Sequence, residues 1–251
     1  MIKAERHDRI LAELAKRGAI GVQELAELLD ASSATIRRDI GELHELGSVV
    51  RTHGGVTLRD TNEELPYDAK VMAFLPEKRR IGAMAASMLT PGVSLGCGGG
   101  TTVMQMIVAL KRMHLRVTTN AVNVALELRD AERIEVLLTG GILRGRTAEM
   151  VGHVSERTLR DCNFDVAVIG IDGIDPVHGL STYDHAEAYV NRVLIERARE
   201  VWIVADHSKL GQSRPAVISQ VAAATCIITD SGASPAMVKA IEQLGPKVVL
   251  A

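Results

Sequence analysis

From residue 93 to the end of the chain, short apolar runs keep returning between stretches of helical periodicity. The runs fall at 93–95, 115–118, 134–138, 166–171, 201–205, 226–229 and 247–250. Between and before them, apolar residues recur at helical spacing over 79–88, 102–111, 121–129, 186–199 and 234–244. A strand covered on both faces reads as a continuous apolar run, and parallel strands need a crossover, usually a helix, between them. The alternation therefore predicts an α/β domain with a mostly parallel sheet, starting near Glu77. Aromatic residues make up only 2% of the chain. The core must then be built from Leu, Val, Ile, Ala and Met, and single-stranded nucleic acid would find few rings to stack on.

The first 58 residues have a different texture, read as three short helices and a hairpin. The first helix is expected over 4–16, with Ile10, Leu11 and Leu14 on one face and Gly18 ending it. The second is expected over 22–29, with Val22, Leu25, Ala26 and Leu29 at helical spacing. A tight Asp30-Ala31 turn follows, and Ser32 or Ser33 is placed to cap a third helix. In that helix Ile36, Ile40, Leu43 and Leu46 repeat on one face, and Gly47 stops it. Residues 48–58 carry β-branched runs on either side of Gly54-Gly55, a hairpin signal. Residues 59–76 are polar, contain Pro66 and Pro76, and read as a linker with a docking segment.

A helix, a tight turn, a capped helix and a hairpin together make a winged helix-turn-helix. The N-terminal end of the second helix of such a pair enters the major groove. Here that end offers Ser32, Ser33, Thr35, Arg37 and Arg38, because Ile36 and Ile40 occupy the buried face. Arginine reads guanine edges bidentately or clamps phosphate, and short hydroxyls reach either. Asp39 is placed to orient a neighbouring arginine, and Arg51 and His53 suit a wing against the backbone or minor groove. A docking module with solvated arginines would share the spacing. The whole chain carries a net charge of −2, and residues 1–60 hold nine Lys/Arg against ten Asp/Glu. Basic groups must therefore be segregated to serve DNA.

In the α/β part, the first run leads into Gly96-Cys-Gly-Gly-Gly-Thr-Thr102 and then a helix. Gly98, Gly99 and Gly100 let a backbone approach an anion, helix N-terminal amides point at it, and Thr101 and Thr102 add hydroxyls. The turn lacks a Walker lysine and the GxGxxG spacing, so neither ATP nor NAD is favoured. Other strand ends carry polar groups where open α/β sheets place ligands: Asn120, Gly140-Gly141 with Arg144, residues 170–175, and Asp206-His-Ser-Lys209. Glu187 suits sugar hydroxyls and Lys209 suits phosphate. Cys97, Cys162 and Cys226 stand alone, which excludes a CxxC zinc site and fits a reducing, cytoplasmic setting. His178, His185 and His207 form no metal constellation. No cofactor is called for, and no apolar span is long enough to cross a membrane.

Arg6, Ile10, Ala-Thr-Ile-Arg-Arg-Asp-Ile at 34–40 and Arg-Thr-His-Gly-Gly-Val at 51–56 resemble the signature of DeoR-family transcriptional regulators. Within that family the resemblance is to the glycerol-3-phosphate repressor-like subgroup, over nearly the whole chain. It implies a repressor of a carbohydrate operon, bound to double-stranded operator DNA as a dimer or tetramer. It also implies control by a phosphorylated sugar or polyol, sensed by a domain of sugar-phosphate isomerase/CoA-transferase-like type. The expected organisation is 1–58 for DNA, 59–76 as linker and 77–251 for the effector. Residues 100–102, Asn120, Gly140, Gly141, Asp172, Asp184, Glu187 and Lys209 match the family's motif positions. Gly98 stands where relatives usually have aspartate, and Asn191 where lysine is common. The extra glycine is expected to give room or one more amide to the ligand. A sugar-phosphate isomerase-like enzyme with an added helix-turn-helix is the alternative. Against it, no stretch supplies a nucleophile with its base.

Overall fold

The computed structural model describes residues 2–45, 48–58 and 64–251. It divides into two compact units, Met1–Ala73 and Phe74–Ala251. The first contains α1 (Lys3–Arg17), β1 (Ala19–Gly21), α2 (Val22–Leu28), α3 (Ser33–Glu45), β2 (Val49–Thr52), β3 (Gly55–Leu58) and α4 (Tyr67–Met72). Gly18, at φ 80°, ends α1 and donates its N–H to Leu14 O at 2.8 Å. At the end of α2, Asp30 takes the left-handed conformation (φ 48°). Its N–H reaches Glu27 O, and that of Ala31 reaches Ala26 O. Those two bonds form a Schellman stop with aspartate where glycine is usual. Ser32 Oγ then accepts the Thr35 N–H at 3.1 Å, so Ser32 rather than Ser33 caps α3.

The hairpin β2–β3 forms as expected, but β1 adds a third antiparallel strand in the order β1-β3-β2. A Cβ on Gly55 would lie 2.6 Å from Ile20 O, so this glycine is what lets β1 close on the hairpin. Ile10, Leu14, Ile20, Leu25, Ile36, Ile40, Leu43, Val49 and Val56 form the core of this unit. Each contributes about 1.5–3 kcal/mol by leaving water. Leu46 and Gly47, expected to finish the third helix, lie outside the described residues, as do residues 59–63 of the expected linker. The remainder of that segment holds α4 and the start of the next helix.

The second unit runs through α5 (Leu75–Met88), β4 (Ser94–Cys97), α6 (Thr101–Leu110), β5 (Leu115–Thr119), α7 (Val122–Leu128) and β6 (Ile134–Leu138). It continues with β7 (Ile142–Arg144), β8 (Glu149–Val151), α8 (His153–Arg160), β9 (Phe164–Gly170), β10 (Gly173–Asp175) and β11 (Gly179–Thr182). α9 (His185–Glu196), β12 (Ala198–Val204), β13 (Ala216–Ser219), β14 (Cys226–Thr229), α10 (Pro235–Glu242) and β15 (Lys247–Leu250) complete it. The seven apolar runs are the strands of one parallel sheet, ordered β15-β14-β12-β9-β4-β5-β6. One apolar cluster includes Ile81, Met106, Leu110 and Leu128, and another includes Leu159, Ile169, Val193 and Ile241.

Two boundaries differ from expectation for physical reasons. α5 begins at Leu75 rather than 79, because Pro76 sits in its first turn, where a missing N–H is harmless. Residues 198 and 199 belong to β12, since α9 stops at Glu196. The chain runs one way from β4 to β5 and β6, then returns to β9 on the other side of β4. The topological switch point is therefore between β4 and β9, and an open α/β sheet holds its ligand outside the carboxyl ends of such strands.

Candidate functional site

In the first unit, Ser32, Arg37 and Arg38 are exposed at the N-terminal end of α3, with Ser33 and Thr35 half-buried beside them. Neither arginine makes an ion pair among the described residues. Asp39 does not orient them. Its carboxylate is buried and holds Arg6 of α1 bidentately, at 2.5 Å from Nε and 3.0 Å from Nη2. His7 Nε2 lies 3.3 Å from the same group. Burial pushes the Asp39 carboxyl up, but the Arg6 hydrogen bonds and charge, with His7, outweigh it and hold the group below its usual range. The acid of the Arg-Arg-Asp run thus ties the third helix to the first, and both arginines stay available.

Arg51 leaves β2 and lays its guanidinium on α3, where a Cβ on Gly41 would meet Nη2 at 2.6 Å. His53 is exposed in the turn between β2 and β3. The seven residues expected to meet DNA therefore lie on the start of α3 and on the wing of this unit.

At the switch point of the second unit, residues 98–100 link β4 to α6, and Thr101 and Thr102 open that helix. The cradle is narrower than the sequence implies. Gly98 donates its N–H to Val168 O at 3.2 Å, and Gly99 donates its own to Glu149 Oε1 at 3.0 Å. Gly98 thus supplies no additional amide, and the room it leaves is met by Asn191, whose Oδ1 lies 3.1 Å from where a Cβ would stand. The amides of Gly100, Thr101 and Thr102 precede the first bond of α6, Met104 N to Gly100 O. They point out of a helix N-terminus, the arrangement that attracts anions. Gly100 has φ 109°, outside the reach of most side chains. Cys97, just upstream, is fully buried and its thiol is pushed up to about 12, so it stays protonated.

Asn120, at the end of β5, gives Nδ2 to Glu149 Oε1 (3.3 Å) and Met150 O (3.1 Å). Gly141 is explained by packing instead: at φ 133°, a Cβ would lie 2.6 Å from Val151 O. Asp172, Asp184, Glu187 and Lys209 are brought into one polar cluster. Lys209 Nζ stands 3.6 Å from Asp172 Oδ1. Thr182 Oγ1 links Asp172 Oδ2 (3.1 Å) and Glu187 Oε1 (2.7 Å). Arg144 spans Glu187 (3.3 Å) and Asp184 (3.3 Å). Burial raises the Asp184 carboxyl, while the Glu187 N–H it caps and the Arg144 charge lower it further, leaving it below the ordinary range.

Two of these groups escaped sequence reasoning. Glu149 sits in a three-residue strand with no periodicity to announce it, and Thr182 reads as an ordinary β residue. The two polar clusters are neighbours. Hairpin β7–β8 supplies Arg144 to one and Glu149 to the other, and α9 supplies Glu187 and Asn191, one turn apart on the same face. Among the described residues no group of three His, Cys, Asp or Glu could hold a metal, and no helix is long and apolar enough to cross a membrane.

A winged helix-turn-helix carried with a separate α/β unit is the build of a DNA-binding transcription regulator. Residues 6–62 match the family described as DeoR-like helix-turn-helix domain, and residues 74–231 match the DeoR C terminal sensor domain. The chain belongs to the DeoR family. It is 32% identical to the glycerol-3-phosphate regulon repressor of Escherichia coli K12, over 92% of each chain. It is 34% identical to the transcriptional repressor CsqR of the same organism, over 90% of this chain and 87% of that one. It is also 34% identical to the regulator GlpR of Haloferax volcanii, over 99% and 98%. Among solved structures, ribose 5-phosphate isomerase A from Methanocaldococcus jannaschii aligns over 54% of each chain at 15% identity and a TM-score of 0.40, too loose to argue from.

Proposed function

We propose that this regulator represses a carbohydrate-utilisation operon and that a phosphorylated sugar or polyol, bound at the switch point, controls its grip on DNA. The observation that carries this is the α6 N-terminus. A Cβ on Gly100 would lie 3.8 Å from Gly170 Cα, two residues before the Asp172 that joins the Thr182–Glu187–Arg144 cluster and Lys209. A phosphate takes the amides and lysine, and carboxylates take sugar hydroxyls. Residues 1–58 would read DNA through Ser32, Ser33, Thr35, Arg37, Arg38, Arg51 and His53, and residues 77–251 would sense the effector. Two recognition helices must meet successive major grooves about 34–36 Å apart, so the working form is at least a dimer.

Phe74, where the second unit begins, offers a route between the two activities. It holds a left-handed backbone (φ 55°), and its ring meets the His207 ring edge-on at 5.1 Å. His207 lies in the same turn as Lys209. A shift of that turn on effector binding would reach the start of α5 directly.

Mobility shift with the upstream region of the chain's own operon, combined with thermal shift across sugar and polyol phosphates, tests the proposal. Replacing Arg37 and Arg38 together by Ala should abolish specific binding while the fold is retained. If no phosphorylated compound moves the melting transition while an unphosphorylated sugar does, the effector assignment is wrong.

A further inference from the structure

We propose that Asn120 and Asn191 accept hydrogen bonds from effector hydroxyls close to its phosphate, so that the site selects a polyhydroxylated phosphate ester over its deoxy analogue. This rests on reading the switch point as the effector site.

The argument is one of donors and acceptors. Upstream of residue 100 the glycine turn has no donor left, because the Gly98 and Gly99 amides are engaged by Val168 O and Glu149 Oε1. A phosphate monoester at neutral pH brings only acceptors and a charge near −1.5 to −2. At Gly99 it would meet a carboxylate and no free N–H. The phosphate is thereby confined to the amides at 100–102.

Beside the first half of the turn the structure offers the opposite chemistry. Asn120 and Asn191 are 0% and 2% exposed, and the Oδ1 of each has no partner among the described residues. The Nδ2 contacts of Asn120 with Glu149 and Met150 settle which end of that amide is oxygen. Asn191 Oδ1 sits against Gly98, where a side chain would have covered it. Buried acceptors are nearly always satisfied in folded proteins, so two orphaned carbonyls flanking one turn call for donors from outside. A sugar or polyol hydroxyl is such a donor, and the ligand that fits carries acceptors and hydroxyls within a few bonds of each other.

Calorimetry on the full chain with inorganic phosphate, n-propyl phosphate and glycerol 3-phosphate tests this. Glycerol 3-phosphate should bind about ten-fold or more tightly than n-propyl phosphate, since a site built around hydroxyls penalises their loss. Asn120→Leu and Asn191→Leu should each bring that ratio towards one. Asn191→Asp, which keeps an acceptor, should preserve the ratio and guards against a Leu variant that does not fold. Equal affinity for the two esters, or a ratio untouched by both Leu variants, overturns the proposal. If none of the three probes binds, the effector-site reading itself fails.

Discussion

Gly99→Ala is the most direct probe of the link between the glycine turn and hairpin β7–β8. Gly99 does not adopt a positive φ, so alanine fits its backbone and only its methyl matters. That methyl would stand 2.6 Å from Glu149 Cδ, 2.7 Å from Cγ and 2.8 Å from Oε1. Glu149 must retreat by roughly 1 Å to reach ordinary contact distance. Retreat breaks its bonds from Gly99 N–H (3.0 Å) and Asn120 Nδ2 (3.3 Å). Hydrogen bonds to a charged group contribute about 1.5–3 kcal/mol each, and the second here is long. Stiffening the unfolded chain returns about 0.4–1 kcal/mol. The net expectation is a loss of about 2–3 kcal/mol. Urea unfolding followed by the fluorescence of Trp202 reads it. This is the single tryptophan, and it is buried in the sheet of the second unit. In a Glu149→Ala background, clash and bonds are both gone, and the same substitution should cost less than about 0.5 kcal/mol. Equal costs in the two backgrounds would refute the argument.

Three further outcomes follow from the geometry. Asp30→Gly should stabilise the first unit by up to about 1 kcal/mol, since glycine takes the left-handed stop of α2 without strain, and a higher melting temperature checks it. The Asp39 carboxyl is held below its usual value, so its contribution is intact above the unfolded value near 3.9 and disappears as pH falls through the folded one. Asp39→Asn should therefore weaken hydrogen-exchange protection of α1 and α3 at neutral pH, and wild type and variant should converge under strong acid. Phe74→Ala should leave phosphate binding within about two-fold while shrinking the effector's influence on operator affinity, which mobility shifts with and without effector compare.

All seven strands of the parallel sheet are visible as apolar runs, and in the central ones burial on both faces leaves no polar alternation to confuse them. The helix caps were visible for a similar reason: Ser32 and Gly18 perform local tasks that local sequence specifies. What stayed hidden is non-local. β1 reads as three unremarkable residues until β3 pairs with it. The sheet β10-β11-β13 joins strands more than thirty residues apart. Asp39 looked like a partner for its neighbours, yet its partner is Arg6, thirty-three residues away. At the glycine turn, the sequence showed which residues could face a ligand and not which amides the fold had already used. Val168 and Glu149 decide that, and neither is marked by any motif.

The arrangement around Glu149 also bears on how a ligand would be felt. Hairpin β7–β8 is a short antiparallel pair in which Arg144 stands opposite Glu149. Those two side chains are charged oppositely and engage different clusters, Arg144 with Glu187 and Asp184, Glu149 with Gly99 and Asn120. On the proposed reading, a ligand phosphate at residues 100–102 would lie next to Gly99, whose N–H the Glu149 carboxylate accepts, and would repel that carboxylate. Ligand hydroxyls that take acceptors from Glu187 loosen the hold on Arg144. Phosphate and hydroxyls would thus both act on this one hairpin although they touch different residues. An isolated phosphate supplies only the first of them. It should therefore bind without reproducing the full effect of the ester on DNA, and the difference between the two measures how much of the switch lies in the hydroxyls.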